Sequence, residues 1–255
     1  MYRTKLRGYL TLSLAMIALL VGCETDVTQP TETEAFHNPY DWVGKEHNEC
    51  ISYVMDRIAA HPDSQWQAID AINLVQEYFG SNKDLAILTG IPHPRGFPPA
   101  ELLEFVLNLA YGGRERYISF LDSLQSEEAL SRRFSELSLE ILDAIDSQAS
   151  THLLNAVCAK VDTAEIPVIE KDLLLLQVAI ARHSKELWEQ AFCSTDPFPM
   201  LSVAPPLLIA GMDVIGGVAA GIVSYRSGNS ATDAIVDGLI IGGATSACGF
   251  LGLLR

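Results

Sequence analysis

The chain has 255 residues, with 17 basic against 32 acidic side chains and a net charge of −15. Such an acidic surface repels phosphates and anionic headgroups, which excludes a nucleic-acid-binding module and any membrane attachment through basic patches. Hydrophobic residues make up 49% of the chain, enough to bury the core of one large domain or two small ones.

The first element is a leader. Met1, Arg3, Lys5 and Arg7 precede an apolar run from Leu10 to Val21, closed by the small residue Gly22. A basic start, a short apolar segment and a small residue are the parts of a secretory signal. The run of 12 residues is well short of the roughly 20 that span a bilayer. Leu20-Val21-Gly22-Cys23 resembles the lipobox of bacterial lipoproteins. The resemblance implies cleavage between Gly22 and Cys23, with acyl chains such as palmitate on Cys23 as the new first residue. It also implies a protein anchored by lipid in the bacterial cell envelope. Glu24 is not the aspartate linked in some of these bacteria to inner-membrane retention, which points to the outer membrane. Removal of Arg3, Lys5 and Arg7 with residues 1–22 leaves 14 basic residues against 32 acidic ones, a net −18.

Residues 23–37 read as a flexible tether of threonine, proline and acid, with almost nothing to bury. Helical periodicity begins at Asn38. Val43, His47, Ile51, Val54 and Ile58 recur at steps of three and four, marking one face of a helix. A capping-box pattern at Ser64 and Gln67 predicts the next helix, with Trp66, Ile69, Ile72, Val75 and Phe79 on its apolar side and Gly80 as its stop. The proline-rich stretch Ile91–Pro99 is a rigid connection or a binding loop. A helix is expected over Ala100–Tyr111, then a short one over Arg114–Leu124. Ser126-Glu127-Glu128 is expected to open a longer helix striped by Leu130, Phe134, Leu137, Ile141 and Ile145. Leu153, Leu154, Val157, Cys158 and Val161 give another. From Pro167 the strongest stripe follows, through Ile169, Leu173, Leu176, Ile180, His183 and Leu187. Strand-type alternation is hardly visible, so residues 38–192 read as an all-α helical bundle.

After a proline-containing linker, 193–206, the composition changes. Between Pro197 and Tyr225 the only charge is Asp213. Gly217 and Gly221 are four residues apart, as are Gly238, Gly242 and Ser246, and Arg226–Ser230 reads as a turn. Residues 207–255 are therefore expected to form a glycine-rich apolar helical hairpin whose small residues let the two backbones touch. The pattern resembles the glycine-zipper hairpins of some envelope lipoproteins and small secreted pore-forming peptides. Asp213 within the first helix, and Asp233 and Asp237 beside the second, oppose insertion into lipid. Packing on the helical domain or on another copy is the expectation.

The densest reactive cluster is Glu46-His47-Asn48-Glu49-Cys50. His47 and Cys50 are three apart on a helix and Glu49 is adjacent, a candidate metal group that lacks the further ligands zinc needs. His47 and His183 also occupy apolar stripe positions, where a hydrogen-bonded core histidine is the commoner outcome. Asp41, Glu46 and Glu49 form an acidic group at a helix start. Neither nucleophile-elbow, phosphate-loop nor dinucleotide-binding motifs occur. Cys50, Cys158, Cys193 and Cys248 are either buried thiols or two disulfides in one of three pairings. Asn38–Gly44 followed by His47-Asn48-Glu49 is similar to the start of a group of exported bacterial proteins without a known activity; Cys50 departs from the small residue of that pattern.

Three functions follow. The first is a lipid-anchored envelope protein with a binding or structural role and no cofactor, meeting a protein partner or another copy through the helical domain and hairpin. The second is a membrane-inserting, oligomerising hairpin protein. The third is a metal-assisted hydrolase using His47.

Overall fold

A computed structural model describes residues 37–82, 98–147, 150–193 and 206–252, apart from the side chains of residues 150, 192, 193 and 206. The leader, Cys23, the tether to residue 36, residues 91–97 of the proline-rich stretch and residues 194–205 of the linker lie outside the described residues. All regular structure among the described residues is helical: α1 (Asp41–Ala59), α2 (Ala68–Ser81), α3 (Ala100–Tyr111), α4 (Gly113–Ser126), α5 (Arg132–Ile145), α6 (Ser150–Thr163), α7 (Val168–Cys193), α8 (Pro206–Arg226) and α9 (Ala231–Phe250).

Local chemistry sets the ends of these helices, in two places differently from expectation. The capping box of α2 is built by Gln67 and Asp70, not Ser64 and Gln67. As a result Ile69 lies on the outer side of the first turn and is 55% exposed. Ser126 ends α4 rather than opening α5. Glu128 then takes a left-handed backbone (φ 54°) that breaks the chain direction, and Leu130 precedes the helix it was expected to stripe. The N-cap of α5 is Ser131, whose Oγ accepts from the Phe134 amide at 3.0 Å. Glu170, almost fully buried at the start of α7, accepts from both the amide and the hydroxyl of Ser131. A carboxylate from a distant helix thus finishes the cap, adding charge-assisted hydrogen bonds to an ordinary serine one.

The hairpin α8–α9 lies at the centre. Its turn passes through Gly228 at φ 90°, and α9 opens on a capping box of Ser230 and Asp233. Helix α7 packs against both arms; α1 and α2 cover α9, and α3 covers α8. Helices α5 and α6 pack on α7, and α4 joins α3 to α5. Every residue of α9 from Ala234 to Phe250 is buried. A helix apolar on all sides has no face to give to water and settles inside a bundle. The described helices on either side of residues 194–205 pack together, α7 against both arms of the hairpin and α1 against α9. Both hairpin helices have the length and hydropathy to cross a membrane, yet 78% of the first candidate span and 94% of the second are buried within the protein.

Close approach of the two arms requires glycine at particular points. A Cβ on Gly217 would stand 3.2 Å from the Gly238 carbonyl oxygen, and one on Gly238 would stand 2.7 Å from that of Gly217. Gly221 meets Ala234 in the same way, 3.2 Å from its carbonyl oxygen, while Gly242 lies over the Gly217 backbone. Ser246 is fully buried one turn further along α9.

Candidate functional site

Where α1, α7, α8 and α9 meet, the apolar core contains a polar knot. Asp213 of α8 is fully buried. Its Oδ2 accepts hydrogen bonds from Ser184 Oγ and, at 3.1 Å, from Trp188 Nε1. These two donors are one turn apart on α7, so a single helix face presents both. Ser246 stands beside the carboxylate and favours its charged form. His47 of α1 is also fully buried, with Nε2 3.8 Å from Asp213 Oδ2. Its Nδ1 faces Asn48 Oδ1 at 3.3 Å, and Asn48 is held by donating Nδ2 to the His183 carbonyl at 2.7 Å. Loss of water dominates both titrations. Burial pushes the Asp213 carboxyl up to about 7, against the pull of Ser184, Trp188 and Ser246. It drives His47 down to about 4, despite Asn48 and the Gly242 backbone, with His183 adding to the depression.

Serine, histidine and aspartate here do not form a nucleophilic relay. Such a relay runs from hydroxyl to imidazole to carboxylate, whereas Ser184 bonds the carboxylate directly. All three side chains are sealed at 0% exposure, out of reach of a substrate. What the knot does is tie the hairpin to α1 and α7.

A second, shallower polar group lies nearby. Asp41 Oδ1 contacts His183 Nε2 at 2.9 Å and Arg182 at 3.5 Å, and its Oδ2 pairs with Lys45 at 3.0 Å. Partial burial raises the Asp41 carboxyl, but the hydrogen bonds to His183 and Lys45 win and hold it below the usual range. Its two acidic neighbours on α1 turn elsewhere. Tyr78 donates to Glu46 Oε2 at 3.2 Å and to Glu49 Oε2 at 3.4 Å, and Asn82 donates to Glu46 at 2.8 Å. Burial, then the two carboxylates, raises the Tyr78 phenol well above its ordinary value.

The three metal candidates are thereby separated. His47 faces Asp213, Cys50 faces Gly243 in the core, and Glu49 is exposed. No three His, Cys, Asp or Glu side chains converge as a metal-ligating group among the described residues. Cys50, Cys158 and Cys248 are buried free thiols; the side chain of Cys193 is outside the described residues.

The sequence left Ser184, Glu170 and Lys185 of these sites unmarked, and Trp188 reads from it only as a residue widening the apolar face of α7. Lys185 is buried and donates to the Ile145 and Ser147 carbonyls at the end of α5, at 3.0 and 2.7 Å. A lysine and a glutamate inside the strongest apolar stripe were the available signal.

An accessible groove of about 610 Å³ lies at the turn end of the hairpin. Leu130, Ile169, Leu173 and Ile222 line it, with Tyr225 and Arg226 at its rim. Arg226 pairs with Glu127 at 2.7 Å, and Val168, in sequence between the lining residues Pro167 and Ile169, is 75% exposed. Comparison with protein families, characterised proteins and solved structures finds no match to this chain.

Proposed function

We propose that this is a lipid-anchored protein of the bacterial envelope, on the outer membrane, whose helical domain binds a protein partner and performs no catalysis. The observation that carries the proposal is Leu20-Val21-Gly22-Cys23 at the end of a basic-then-apolar leader. The groove between the starts of α5 and α7 and the hairpin turn supports a binding role. It is open, aliphatic inside, and bordered by an aromatic and a charged side chain, the composition of an interface patch rather than of bare surface. The centre of the glycine hairpin is already occupied by α1, α2, α3 and α7. A partner therefore meets the hairpin at its turn, and self-association or insertion through its length would first require the core to open.

Mass spectrometry of the native amino-terminal peptide tests the anchor: acyl chains on Cys23 are expected, and an unmodified thiol or an intact leader would refute it. Photo-crosslinking from position 225 in intact membranes tests the partner site. An adduct lost on Ile169→Glu supports it; the same adduct from position 225 with and without that change counts against it. Deleting residues 207–255 is no control, because it removes the centre of the core. Leakage of vesicles by the intact protein would favour the inserting alternative.

A further inference from the structure

We propose that His47 and Asp213 are a one-proton pair that lets the core close without net proton exchange in mildly acidic solution. The two groups face each other at 3.8 Å across α1 and α8, both without exposure. Among the described residues, His47 Nε2 and Asp213 Oδ1 make no hydrogen bond. A pair with two protons would leave a lone cation in this dry site, and a pair with none a lone anion. One proton leaves no net charge, and burial selects that state.

Among the described residues the neighbouring charged groups are engaged with other partners, and His183, the one that acts on His47, favours its neutral form. On α1, Asp41 is taken by Lys45, Arg182 and His183, and Glu46 by Tyr78 and Asn82. On α7, His183 is bonded to Asp41, and the Lys185 ammonium is bonded to carbonyls at the end of α5. On α9, the pair is faced by Ser246 and the Gly242 backbone; Asp237 accepts from Ser224 at 2.5 Å, towards the turn. On α3, Glu101 and Glu104 are exposed.

Loss of water opposes both charges and outweighs the hydrogen bonds that favour them, which places the proton on the carboxyl and leaves His47 neutral. In neutral His47, Asn48, oriented by the His183 carbonyl, presents its Oδ1 to Nδ1 and so selects the tautomer that carries its hydrogen there and turns the Nε2 lone pair towards the carboxyl. In the open chain the proton sits on the imidazole and the carboxyl is ionised. On closure the Nε2–H bond of His47 breaks and an O–H bond forms on Asp213, with nothing exchanged with solvent.

Taken alone, each group would make stability depend on pH. The folded value of Asp213 is raised, so its contribution is full below about 3.8 and is lost as pH rises through about 7. The folded value of His47 is depressed, so its contribution is full above about 6.5 and is lost as pH falls through about 4. Between about 4 and 6.5 the two slopes have opposite sign and cancel. The pair depends on neither the lipid anchor nor the groove.

The experiment is urea denaturation of the purified full chain between pH 4.5 and 6.5, for wild type, Asp213→Asn, His47→Gln and the double variant. Relative to wild type, the folding constant of Asp213→Asn is expected to fall by up to about tenfold per pH unit as pH drops. That of His47→Gln is expected to fall by a similar factor as pH rises, while the double variant runs parallel to wild type. Single variants that track wild type, or that diverge in the same direction, would overturn the pairing. Should either variant fail to fold, imidazole NMR of the wild type decides. A neutral His47 at pH 5.5 sustains the pair, and a His47 titrating near 6.5 sinks it.

Discussion

Alanine at two glycines of one helix pair should change stability in opposite directions. At Gly238 a Cβ would stand 2.7 Å from the Gly217 carbonyl oxygen and 2.9 Å from Leu176 Cδ2. Ordinary contact begins near 3.4 Å, so α8 and α9 must part by roughly 0.7 Å, and α7 has to yield with them. The first obstacle is backbone, which cannot rotate away. Overpacking of this kind costs about 1–3 kcal/mol, and the separation also loosens the neighbouring contact of Gly221 with Ala234. Against that, alanine gains about 1 kcal/mol of helix propensity. The expected net loss for Gly238→Ala is up to about 2 kcal/mol. Gly211, in the second turn of α8, has nothing within 4 Å of a built Cβ, so Gly211→Ala keeps the propensity gain and should stabilise by up to about 1 kcal/mol. Urea midpoints of the two variants, read with an unchanged slope, give the comparison. If Gly238→Ala is as stable as Gly211→Ala, the arms do not touch at this crossing.

Ser131→Ala removes both the acceptor for the Phe134 amide and one donor to the buried Glu170. A loss of about 1–2 kcal/mol in chemical denaturation is expected, and an unchanged midpoint would mean that Glu170 does not complete the cap. Burial raises the thiols of Cys158 to about 11 and Cys248 to about 12, and holds Cys50 well above its ordinary value. In the native protein at pH 8 these three should resist iodoacetamide and react only after unfolding; rapid native labelling of any of them, located by peptide mapping, would contradict the packing around it.

The parts of the fold that could be read from the sequence are those governed by local pattern. The limits of α3 coincide with the expected Ala100–Tyr111. The stripe Val43, His47, Ile51, Val54 and Ile58 is buried throughout α1. Stripe logic failed where a tertiary contact or a turn took over. Leu153, assigned to an apolar face, is 38% exposed on the outer helix α6, and the start of α5 was misplaced because Glu128 adopts a left-handed backbone that no periodicity reveals. Gly44 enters the sequence reading only as the end of the Asn38–Gly44 pattern, with no packing role. Its Cβ would lie 2.3 Å from His183 Cδ2 and 2.5 Å from the Ala179 carbonyl oxygen, so α1 and α7 meet there as closely as the arms of the hairpin. Glycine inside a helix costs about 1 kcal/mol without a reason to be there, and that cost was the clue.

The polar knot was only half visible, for a different reason. Asp213, alone among 29 residues without another charge, announces itself as a group that needs partners, since a buried carboxyl left unbonded is costly. What the chain does not announce is who they are. Ser184 and Trp188 stand one turn apart, as do thousands of residue pairs with no common target, and they acquire a role only when α8 is laid against α7. His47 likewise reads as a core histidine or a ligand until α1 is placed on α9. The knot is written in four helices and exists at their crossing, so its chemistry follows from packing. The glycines that let α8 and α9 approach at Gly217 and Gly242 set that crossing, with a Cβ on Gly242 only 3.4 Å from Gly217 Cα and 3.6 Å from the Asp213 carbonyl oxygen. Side chains that carry no chemistry thereby decide which titratable groups meet.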